Sequence, residues 1–224
     1  LGGEALAAVA MGTSLYIVLS SPMRGISRGG MAAVARYVGA NDDVRANRAA
    51  GQTLLLLLLA SLPITLLGLV LGQTLLHWMG ARGEVAEGAL IYFRMMMWGL
   101  MAMELIPCLD NVIRGAGHPE VTVRFNLIAV AVTAIVEPAL VLGWGPFIPL
   151  GVYGAGWASI AGSVAGAVDQ LGVLHTGSAG LRLHISDLRP DRGIISSILR
   201  IGLPSSLQRL SPNLASALLM ALVA

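Results

Sequence analysis

Residues 110–159 read DNVIRGAGHPEVTVRFNLIAVAVTAIVEPALVLGWGPFIPLGVYGAGWAS, and the fold is decided there. A short basic turn, Arg114-Gly-Ala-Gly-His-Pro119, leads into an apolar run from Val121 to Leu142. A second turn covers 143–150, and a Gly/Ala-rich apolar segment starts at Gly151. About 20 apolar residues in a helix cross a hydrocarbon core roughly 30 Å thick. Within the first run lies one carboxylate, Glu137, directly before Pro138. A charge at that depth costs about 2.5–3.5 kcal/mol on insertion scales, so an acid there is seldom accidental.

Outward from this stretch, the composition agrees. The 224 residues are 56% hydrophobic and 12% charged, with a mean hydropathy of +0.78. A soluble domain carries about twice that charged fraction. The 28 glycines and 10 prolines fall largely in apolar segments, as they do in membrane helices. The expected fold class is all-α, a polytopic membrane helical bundle in the lipid bilayer. A formal charge of +2 without any Lys/Arg tract gives no footprint for nucleic acid. The single Cys108 cannot form an internal disulfide. The chain opens at Leu1 without a basic signal segment and stops inside an apolar run; both ends are expected to continue in a longer protein.

Five membrane segments are predicted, at about 5–39, 47–78, 86–113, 119–142 and 151–175, making one unit over 1–175. The polar stretch 176–196 reads as a linker, and 197–224 begins another helix. Pro63 is expected to bend the second segment. Arg24 and Arg28 are four apart and share a face of the first, where they either snorkel or pair with a buried acid. In the third, Met97, Met101 and Glu104 share a face, a Met-lined surface that adapts to varied apolar ligands or simply fills space. In the fifth, Ala158, Gly162 and Gly166 form a small-residue ridge for close helix packing. GAGWAS lacks the strand and Lys of a phosphate loop.

Arginines divide unequally between the two ends of the segments. Arg36, Arg45, Arg48, Arg114, Arg124, Arg182, Arg189, Arg192 and Arg200 fall on one side, against Arg82 on the other. The positive-inside bias puts the linker in the cytoplasm. The four His lie at or beyond segment ends, and no nucleophile–base pair or metal cluster is apparent, so an enzyme is not expected.

The order ARYVGANDDVRANRAAGQ, IYFRMMMWGL, DNVIRGAGHP, EPALVLG, GVYGAGWAS and RIGLPSSLQ resembles the multidrug and toxic compound extrusion (MATE) transporters, over nearly the whole chain. That resemblance implies a twelve-helix fold in two six-helix lobes joined by a cytoplasmic linker. The chain would then hold the N-terminal lobe without its first helix, the linker, and the start of the second lobe. It further implies an Asp before Pro in helix five, a place taken by Glu137, an Asn one turn earlier, taken by Thr133, and a helix-six hydroxyl, taken by Ser159. These departures keep oxygen ligands while altering reach and acidity.

The expected function is secondary antiport by alternating access, exporting organic cations and amphiphilic drugs in exchange for H+ or Na+. The expected protein is a monomeric, multi-pass protein of the plasma (inner) membrane with no cofactor and no metal. Burial raises a carboxyl pKa, which lets a membrane acid trade a proton for a cationic ligand. Candidate substrate- or ion-binding residues are Glu137, Thr133, Ser159, Glu104, Met97 and Met101. A lipid-linked precursor flippase, which would use Arg24, Arg28 and Arg94 on phosphate, is the alternative.

Overall fold

The computed structural model describes residues 3–143, 151–177 and 179–206. They form α1 (Gly3–Gly39), α2 (Asp43–Trp78), α3 (Gly83–Gly115), α4 (Pro119–Leu142) and α5 (Val152–Thr176). A 3-10 turn at Ile185–Leu188 precedes a last helical stretch, α6, over 192–206. Apart from Gly143, the expected turn at 143–150 lies outside the described residues, as does the continuation over 207–224.

Local chemistry sets the boundaries. The Asp42 carboxylate accepts from the Arg45 amide at 3.0 Å and caps α2. Pro119 opens α4, where its missing N–H is harmless. Gly143 and Gly177 end α4 and α5 in the left-handed region, at φ 74° and 82°. At 37, 36 and 33 residues, the first three helices are about 50–55 Å long, well beyond a hydrocarbon core. Each of α1 to α4 carries an internal proline: Pro22, Pro63, Pro107 and Pro138.

α1 and α3 run against each other and α2 completes a three-helix bundle; α4 and α5 form a hairpin that joins it mainly through α5 on α3. Phe93, Met23, Leu57, Met97, Leu100, Leu109 and Ile113 are fully buried at the centre. Outward-facing Leu59, Leu62, Leu66, Leu67 and Val70 on α2, and Val123, Leu127, Val130 and Ile135 on α4, are exposed. An apolar surface of that extent suits lipid rather than water. By length and composition α1 to α4 can each cross a membrane. The fifth expected span, α5, does not meet the same measure among the described residues. Its many glycines and Asp169 dilute its hydropathy, because one of its faces is specialised for packing rather than for lipid.

Segment 179–191 is docked rather than loose. The fully buried Gln52 of α2 donates from Nε2 to the carbonyls of Asp187 (2.7 Å) and Arg189 (2.8 Å), and its Oε1 accepts from the Asp191 amide at 3.0 Å. Asn47 Oδ1 accepts from the Arg182 amide at 2.8 Å, and Arg48 pairs with Asp191 at 3.6 Å. Asp191 Oδ1 in turn accepts from the amides of Gly193 and Ile194, capping α6 at residue 192. Gln52→Ala removes three buried hydrogen bonds worth about 2 kcal/mol together, roughly a 30-fold rise in the open population. Limited trypsin digestion of the full-length protein is expected to cut faster at Arg182, Arg189 and Arg192 in this variant. Unchanged cleavage would mean the segment is held elsewhere.

Candidate cation and substrate cleft

The site begins where α4 and α5 cross. Gly162 lies so close to Thr133 Oγ1 and the Ala129 carbonyl that any Cβ there would overlap both. Gly154 meets the Leu140 backbone in the same way, while a Cβ on Gly166 would overlap Ile106 Cδ1 of α3 and crowd the Phe125 carbonyl. The small-residue ridge of α5 thus lets the two backbones nest, as between membrane helices generally.

Beside this crossing opens a cleft of about 340 Å³, lined by Ala129, Val130, Thr133, Ala134 and Glu137 of α4 and Ser159 and Ser163 of α5. The volume is near the lower end for small-molecule sites. Thr133 and Glu137 stack one turn apart, as i and i+4 on a helix must. Thr133 Oγ1 donates to the Ala129 carbonyl at 2.8 Å, and Ser159 Oγ to the Ala155 carbonyl at 3.0 Å. With their protons so engaged, both hydroxyl oxygens keep lone pairs to offer a ligand. Pro138 has no N–H to give the Ala134 carbonyl four residues earlier, which leaves that carbonyl without its helical donor beside the cleft. Half-buried Glu137 makes no hydrogen bond or ion pair among the described residues. The result is an oxygen-rich, singly negative recess suited to a proton, a small hard cation or an organic cation.

The three other expected residues lie elsewhere. Glu104, 1% exposed on its side chain, is paired with Arg24 of α1. Arg24 Nε donates to Oε1 and Oε2 at 3.2 and 3.3 Å, Nη2 to Oε1 at 3.1 Å, and the Tyr16 hydroxyl to Oε1 at 3.1 Å. This arginine therefore neutralises Glu104, not Glu137. Met97 is fully buried against Gly68 of α2, whereas Met101 is 45% exposed. The shared face expected for Met97, Met101 and Glu104 is thus split. A four-residue step drifts about 40° around a helix, and α3 is enclosed so tightly by α1, α2 and α5 that this drift carries Met101 outside.

Ser163 escaped the sequence reading; its spacing of four from Ser159 was the available signal. A polar tie at the arginine-rich end was also missed. Asp110 of α3 accepts from Asn126 Nδ2 of α4 at 2.9 Å and from Gln170 Nε2 of α5 at 2.6 Å, and Arg124 pairs with Asp169 at 3.0 Å. The Asp110 bonds hold the α4–α5 hairpin to α3 and the Arg124–Asp169 pair ties α4 to α5, which together fix the cleft relative to the bundle.

The MatE family profile matches residues 1–138. The probable multidrug resistance protein YoeA of Bacillus subtilis is 24% identical, over 100% of this chain and 49% of its own length. The FAD transporter of Shewanella oneidensis is 26% identical over 100% of this chain and 50% of its own. A solved inward-facing multidrug resistance MATE family transporter of the MOP superfamily superposes with a TM-score of 0.85 at 29% identity, covering 96% of this chain and 48% of that one. The chain spans about half the length of these relatives.

Proposed function

Since this chain belongs to the MatE family, we propose that it is most of the first lobe of a secondary antiporter. The whole protein exports cationic or amphiphilic toxic compounds in exchange for H+ or Na+, and Glu137 is the coupling acid. The observation that carries this reading is the lone carboxylate of Glu137 in a cleft it shares with Thr133, Ser159, Ser163 and the Ala134 carbonyl. A structural acid would be expected to hold a counter-ion; Glu137 holds none among the described residues. Proton and ligand then compete for one carboxylate. Rocking of the two lobes exposes it to each side in turn, with the arginine-rich end towards the cytoplasm of a plasma membrane. Thr133 and Ser159 supply neutral oxygens to whichever cation is bound.

The flippase reading has less support. The similar proteins named above are multidrug proteins and an FAD transporter.

The test is dye efflux from vesicles containing the full-length protein, with pH and sodium gradients imposed separately. Efflux driven by one gradient and insensitive to the other is expected, and identifies the coupling ion. Transport that proceeds equally without either gradient would sink antiport.

A further inference from the structure

α1 carries a second charged feature that the Glu137 cleft leaves unused. Arg24 and Arg28 are one turn apart on the half of α1 nearer its C-terminal end. The Arg24 side chain is 29% exposed. Its Nε and Nη2 are held by Glu104, while Nη1 makes no hydrogen bond among the described residues. Half-buried Arg28 has neither hydrogen bond nor ion pair among them. Positions 1–2, 144–150, 178 and 207–224, which are not described, contain no Asp or Glu at all. Among the described residues, two guanidiniums against one carboxylate leave this stretch of α1 one positive charge in excess.

The location gives the excess charge a meaning. Gly25 and Gly29, each adjacent to one of the arginines, are the α1 side of a close crossing with α6. A Cβ on Gly25 would overlap the Gly202 carbonyl, and one on Gly29 the Ile198 carbonyl. Both arginines thus border the seam between the first-lobe bundle and α6. An uncompensated guanidinium within a membrane bundle is costly. A planar guanidinium matches the oxygens of phosphate or carboxylate in bidentate fashion.

We propose that Arg24 and Arg28 form a binding site, at the α1–α6 seam, for the phosphate or carboxylate group of an amphiphilic anion. Arg28 is its main contact and Arg24 Nη1 a second donor. The site is separate from the Glu137 cleft, whose charge has the opposite sign. The ligand class follows from the two surroundings: charge complementarity asks for an oxyanion, and a membrane bundle asks for an apolar remainder. Such an oxyanion could belong to a soluble amphiphile or to a lipid headgroup.

The measurement uses two ligands with the same ring system, riboflavin and riboflavin 5′-phosphate, which differ only in the phosphate. Their binding to purified full-length protein in phosphatidylcholine nanodiscs is followed by flavin fluorescence with no ion gradient, so a failure here is distinct from a failure of the antiport reading. The phosphorylated flavin is expected to bind at least ~10-fold more tightly. That ratio should fall to about 1 in Arg28→Gln and to an intermediate value in Arg28→Lys, which keeps the charge but loses the bidentate fork. Equal affinities in the wild type, or a preference untouched by Arg28→Gln, would overturn the proposal. A repeat with phosphatidylglycerol in the nanodiscs identifies the source. Loss of the preference in the wild type alone assigns the site to an anionic lipid headgroup, and its survival assigns it to a soluble anion.

Discussion

Glu137→Gln in the full-length protein is expected to reduce gradient-driven efflux to the level of vesicles without transporter, while leaving the fold intact. Glutamine has the size of glutamate but can neither ionise nor carry the exchanged proton. Glu137 has no hydrogen-bond or ion-pair partner among the described residues, so the substitution breaks no interaction with them. Its effect on stability should stay within about 0.5 kcal/mol, as at an ordinary surface position. Glu137→Asp retains the charge one methylene further back and should keep a fraction of the transport. Side-by-side efflux and thermal melting separate the two roles of an acid. Full transport in Glu137→Gln would move coupling away from α4, and a large loss of stability would make Glu137 a structural residue.

The second large effect is expected at Arg24. Arg24→Ala leaves Glu104, 1% exposed, with only the Tyr16 hydroxyl as partner among the described residues. Breaking a buried pair from one side costs about 3–5 kcal/mol, because the remaining charge stays desolvated. Replacing both partners with apolar residues of similar volume, Arg24→Met with Glu104→Leu, should recover most of that loss. The melting temperatures of the full-length wild type, the two single variants and the double variant close a mutant cycle. If the double variant is as unstable as the sum of the singles, the pair is not a unit, and the α1–α3 interface draws its stability elsewhere.

Why some of this was legible in the sequence and some was not has a physical basis. Thr133, Glu137 and the α5 ridge lie within short stretches where the helical period alone dictates which residues share a face. Their place opposite Ser159 came from resemblance to a transporter family. The Arg24–Glu104 pair joins residues 80 positions apart, and its existence depends on the rotation of α1 against α3, which no local pattern encodes. Met101 shows the same limit at smaller scale: its face is predictable, but whether α5 or lipid covers that face is a tertiary matter. Gln52 sits in an Ala/Leu-rich helix as one polar residue, and only the folded chain brings three backbone groups of 187–191 to it.

That clasp also has a mechanical consequence. Asp191 is tied to α2 at one end of α6, and the Gly25–Gly202 contact lies 11 residues further along, a lever arm of about 17 Å at 1.5 Å per residue. A tilt of only about 10° about Asp191 would swing Gly202 by roughly 3 Å, enough to separate the nested backbones without stretching the segment that precedes α6. A polar strap pinned at its far end would convert a small rotation into opening at the glycine seam, with the Gln52 clasp and the Arg48–Asp191 pair as its pivot.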